Sequence, residues 1–190
     1  MKAILIILIP FLGMKVELPA AHFGLMQSVT TDSTASGWKQ SLAKFRSVLL
    51  TRDKKTVKTF FEFPILNPGN DIWLVADMQY ATKLNSKNIV PFQESDFDKY
   101  YASILSMDFR KTLEQIDIEK LARDKMTETA ELIVVSPATS KMRAEYSEAE
   151  STIRLSLITK SPQFGQFTID YHFKILTSGD IRFTHVKFIL

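Results

Sequence analysis

With no cysteine among its 190 residues, the chain can hold no disulfide framework, no thiolate-ligated zinc and no cysteine nucleophile. Glycine is scarce, six in all, and the six are too scattered to form a phosphate-cradling loop. Only three histidines are present, and neither H-E-x-x-H nor G-x-S-x-G occurs. A dominant charge is also missing. Lysine plus arginine number 24 against 21 aspartate plus glutamate, a net charge of +3. That excess is too small for a nucleic-acid surface, even with a pI near 9.0. What is there is ordinary: 45% apolar and 24% charged residues, the balance of a globular domain long enough to bury its own core.

Lys2 precedes a nearly unbroken apolar run, Ala3 to Leu12, shorter than the roughly 20 residues that cross a bilayer. The pattern is that of a secretory signal, so residues 1–21 are expected to be a signal peptide. Pro19-Ala20-Ala21 offers small residues for cleavage, although the proline departs from A-x-A. A buried N-terminal strand is the other reading of the run. Without a cysteine no lipid can be attached there. The expected location is periplasmic or secreted, with no stable membrane anchor. Residues 22–37 are rich in Ser and Thr and read as a flexible lead-in, leaving 38–190 as one domain.

The first half has helical spacing. Trp38, Leu42, Phe45 and Leu49 share one helix face, with Ser36 as the expected cap. Asp53 is placed to cap a short helix carrying Val57, Phe60 and Phe61, which must end before Phe63-Pro64. Asn67-Pro68-Gly69-Asn70-Asp71 is a dense turn signal, and short strands are expected around Trp73–Val75 and Lys87–Val90. Ser95 and Asp98 suggest the start of a third helix bearing Phe97, Tyr101, Ile104 and Leu105, continued through Phe109, Leu113 and Ile116 after a bend near Asp108. The mixed charges from Glu114 to Glu131 read as a solvated helix and loop.

The second half alternates with period 2. Strands are expected at Glu128–Ser136, Met142–Ser147, Thr152–Thr159, Gln166–Leu176 and Ile181–Leu190. Helices followed by an antiparallel meander imply an α+β domain with the helices on one face of the sheet. Closing the last hairpin with residue 176 opposite 181 sets His172 against His185 on the polar face. Tyr171, Phe173, Val186 and Phe188 then turn toward the helices.

This order of elements resembles NTF2-like (cystatin-like, cone-shaped) domains, in particular exported members from Bacteroides-type Gram-negative bacteria. The likeness is carried by Phe45, by Asp53 and Val57 leading into Phe63-Pro64-Ile65, and by Asp96-Phe97-x-x-Tyr100-Tyr101-x-x-Ile104. It covers roughly residues 38–190 and implies helices packed on a curved antiparallel sheet. The superfamily includes isomerases, dehydratases, immunity proteins and binding modules, so the resemblance does not select a function. It also implies that two copies can pair through the polar sheet face.

The leading expectation is a non-catalytic module that binds a small apolar ligand or a protein partner, with no cofactor. Tyr101, Tyr146, Tyr171 and Phe173 are the candidate pocket residues, with Tyr100 as a further tyrosine on the same side. The alternative is an isomerase- or dehydratase-type enzyme working by proton transfer on a hydrophobic substrate, which needs a carboxylate inside an open pocket. No carboxylate of the last two strands faces inward, so no catalytic residue is assigned. His172 and His185 are two metal-type ligands where zinc usually takes three or four, and two exposed histidines on a polar face are the simpler expectation.

Overall fold

Seven helices precede or flank a five-stranded sheet in the computed structural model, which describes residues 32–190 apart from Ser86, with side chains from Gly37 onward. The expected signal peptide and most of the lead-in lie outside the described residues. Helix α1, Asp32–Leu50, starts earlier than Ser36 and runs six residues into the stretch read as lead-in. Its inward face is Trp38, Leu42, Phe45 and Leu49, all buried. Helix α2, Lys54–Lys58, is capped as its sequence implies: the Asp53 carboxylate accepts from the Thr56 N–H at 3.0 Å.

The segment expected to hold two strands is instead helical. A 3₁₀ turn at Pro68–Asn70 leads into α3, Asp71–Ala76, and α4, Met78–Ala81. The apolar run Ile72–Ala76 is too short for its period to separate helix from strand. Tertiary packing decides it: the buried Trp73 stacks edge-on against Phe92 and donates its indole N–H to the Val90 carbonyl at 3.0 Å. Residues 87–90 form no strand, and only an isolated bridge joins Ile65 to Phe92.

Helix α5, Glu94–Ile104, is capped by Gln93, two residues before the expected Ser95. Its start is fixed by Asp96, whose carboxylate accepts from the Gln93 N–H at 2.8 Å. The helix breaks at Leu105 and restarts as α6, Met107–Glu114, with the Ser106 hydroxyl capping the Phe109 N–H. Ile118–Asp124 forms α7. This piece is less solvated than its charges suggest, because Ile116, Ile118 and Leu121 are buried.

The sheet is an antiparallel meander of β1 (Met126–Glu128), β2 (Thr139–Ser147), β3 (Thr152–Ser161), β4 (Gly165–Ile175) and β5 (Ile181–Ile189). The expected strand at 128–136 shrinks to β1 and one bridge between Leu132 and Ser140. At its turn the last hairpin is offset by one residue from the expected register, with Ile175 rather than Leu176 opposite Ile181. A bulge leaves Thr184 without a partner and restores the inferred pairs beyond it, Tyr171 with Val186 and Ile169 with Phe188. The molecule is therefore α+β, with an inner sheet face of Met142, Leu155, Tyr171 and Phe173 buried with the helices in one core.

Two devices tie the layers together. Gly37 and Gly179 bring α1 against the β4–β5 turn so closely that a Cβ on Gly179, which has φ +85°, would sit 2.8 Å from the Gly37 Cα. The outer edge of β5 is closed by polar groups rather than by another strand. Its N–H donors at Ile181, Val186 and Phe188 reach Ser41 Oγ, Asn67 Oδ1 and Asp71 Oδ2 at 3.0, 2.7 and 3.0 Å, and Phe183 N–H reaches the Phe60 carbonyl at 2.8 Å. The turn signal at 67–71 thus serves as an edge cover. No helix among the described residues is long and apolar enough to cross a membrane.

Candidate functional site

The four candidate pocket residues go to different places. Tyr171 is wholly buried, its hydroxyl donating to the Ile104 carbonyl at 2.8 Å and its ring against Phe109. That carbonyl belongs to the broken end of α5, where helical acceptors lack their usual partners. Burial pushes the Tyr171 phenol far up, so it serves as a structural donor. Phe173 is equally buried, edge-on to Phe45 at 5.3 Å. Tyr101 is half-buried beside Phe97, with a hydroxyl that has no hydrogen-bond partner among the described residues and a pKa raised by burial. Tyr146 packs on Trp38 at 4.6 Å and under the Lys125 ammonium. Tyr100 donates its hydroxyl to Asp77 at 3.0 Å.

Tyr146 and His172 do share a shallow polar groove, together with Lys125, Glu145 and Arg154. Its cations are already matched, Arg154 with Glu145 and Lys125 with Glu148. The His172 and His185 rings face each other as the register requires, 4.2 Å apart between centroids and 7° from parallel. Ring-nitrogen lone pairs lie in the ring planes, so stacked rings do not converge on one ion.

The apolar space lies elsewhere. A cleft of about 720 Å³ opens between the helices and the far end of the inner sheet face, within the roughly 300–1,000 Å³ of small-molecule sites. Leu74, Val75 and Met78 of α3 and α4 form one wall. Leu157, Ile169 and Phe188, one from each of the last three strands, form the other. Phe164, in the β3–β4 turn, stands at the mouth and is 76% exposed.

The polar groups of the cleft are few. Thr159 takes an inner-face position of β3, its hydroxyl paired with Ser140 at 3.1 Å. The end of α5 supplies Ser103, the break Ser106 and the first turn of α6 Asp108. Because α5 ends at Ile104 and Ser106 caps the next helix, the first turn of α6 brings Asp108 to the cleft wall. Burial raises the pKa of the Asp108 carboxyl above its ordinary value, and burial is the sole cause.

The sequence implies a bend near Asp108 but assigns no role to the residue. The available signal was a carboxylate inside an apolar helical stripe, between Met107 and Phe109. Leu157 and Thr159 follow Leu155 on the inward alternation of β3, so the wall was legible as a face though not as a cavity. No family model, curated protein or solved structure matches the chain.

Proposed function

We propose that this is an exported, non-catalytic module of the NTF2-like cone type that holds a small apolar ligand in the cleft between α3–α4 and strands β3–β5. The observation that carries the reading is an open apolar cleft beside an otherwise filled interior. In that interior Phe45 packs on Phe173 and Phe109 on Tyr171, all four fully buried, whereas Met78 and Phe164, which line the cleft, remain exposed. Covering such surface with an apolar ligand removes it from water, worth roughly 25 cal/mol per Å² before the costs of ordering the ligand.

The test is titration with N-phenyl-1-naphthylamine, an uncharged dye that brightens in apolar surroundings. One saturable site is expected, weakened severalfold by Leu74→Trp, which fills the cleft from α3. Unchanged binding in a folded Leu74→Trp protein would put the dye elsewhere and overturn the reading.

Asp108 favours a second reading of the same cleft, proton transfer on a hydrophobic substrate. A half-buried carboxyl with a raised pKa is suited to accept a proton from carbon next to a carbonyl. The two readings separate in heavy water. Protein-catalysed deuterium exchange into 2-nonanone, abolished by Asp108→Asn, would establish the enzyme, and binding without exchange would establish the module.

A further inference from the structure

Resting on the ligand-site reading, we propose that the occupant of the cleft is a hydrophobic amine, its body against Leu157, Ile169 and Phe188 and its protonated nitrogen at Asp108. The lining of the cleft includes no Lys, Arg or His among the described residues, and Asp108 is its one ionisable side chain. A carboxylate or phosphate headgroup would therefore enter without a counter-charge and would meet a second negative group. The nearby cations of α6 are directed elsewhere: Lys111 pairs with Glu114 at 3.3 Å, and Arg110 Nε lies 3.4 Å from the Ser106 carbonyl.

Asp108 is short of partners. Burial alone shifts its pKa, and among the described residues no ion pair holds its carboxylate. An ammonium would replace the lost hydration with a charge-assisted hydrogen bond, the stronger for the apolar walls around it. Ser103 and Ser106 also line the cleft, and a hydroxyl has two acceptor lone pairs, so Ser106 can take an ammonium N–H beside the Phe109 N–H it already caps. An alcohol of the same length gains the apolar burial but only a neutral hydrogen bond. The order of affinity at neutral pH is therefore amine, alcohol, carboxylate.

The experiment displaces N-phenyl-1-naphthylamine from the intact protein with decylamine, decanol and decanoate, the two ionic compounds below their micellar concentrations and decanol below its solubility limit. Decylamine is expected to compete roughly tenfold better than decanol, the increment of one charge-assisted hydrogen bond, with decanoate weakest. In Asp108→Asn the amine and the alcohol should converge, and in Asp108→Lys decanoate should overtake the amine. Decylamine no better than decanol, or an amine preference that persists in both variants, overturns the proposal. If neither the dye nor decanol binds, the ligand-site reading itself fails and this inference falls with it.

Discussion

The His172 ring lies flat against the His185 ring across the β4–β5 ladder, centroids 4.2 Å apart. Burial first, and the neighbouring imidazole second, hold the His172 pKa below its ordinary value. Asp170 opposes that shift, and Arg154 and Lys187 add to it. Burial likewise lowers His185, against the pull of Asp71. A proton therefore binds the unfolded chain more readily than the folded one. The stability tied to this pair is complete above the unfolded histidine pKa of about 6.5 and is lost as pH falls through the folded values. Urea midpoints should drop more steeply between pH 7 and pH 5 in the wild type than in His172→Gln/His185→Gln, which should remain folded. Equal slopes would contradict the burial assigned to the rings.

Phe45 and Phe173 meet edge-on at 5.3 Å, and neither is exposed. Replacing either with Ala removes a ring from a filled site, at a cost of about 3–5 kcal/mol. Chemical denaturation checks this. A loss below about 1 kcal/mol would mean that the site collapses around the gap or that α1 does not pack there.

The elements that were legible in the sequence had long, regular patterns. The stripe from Trp38 to Leu49 and the alternations of β3, β4 and β5 each repeat often enough for one period to win. Ile72–Ala76 offered one turn of either period, and its helix is fixed by Trp73 packing on Phe92, a partner 19 positions away that no local pattern reveals. The Thr184 bulge was hidden for the same reason, because alternation gives pairing parity but not an inserted residue. Tyr171 shows why a tyrosine on the inward alternation need not line a pocket: it is wholly buried and its hydroxyl is spent on the Ile104 carbonyl. Asp108 gained its place from a helix break, a tertiary consequence of Ser106 and Tyr171 acting together.

Asn67 is fully buried and clamps the edge of β5, accepting from Val186 N–H at 2.7 Å and donating to its carbonyl at 3.0 Å. Asn67→Ala leaves both backbone groups unpaired, at about 1–3 kcal/mol for each group left without water. The Val186 amide should also lose protection in hydrogen exchange before its neighbours on β4. Unchanged stability and protection would mean that water replaces the clamp.

The claim that the cleft is a ligand site is tested most directly by methyl NMR during titration with N-phenyl-1-naphthylamine. Methyl signals of Leu74, Leu157 and Ile169, which line the cleft, are expected to move together along one saturating curve. Those of Leu42 and Leu49, buried under α1, should stay in place. Shifts confined to Ile158 and Ile189 outside the cleft, or no shifts at all, would contradict it.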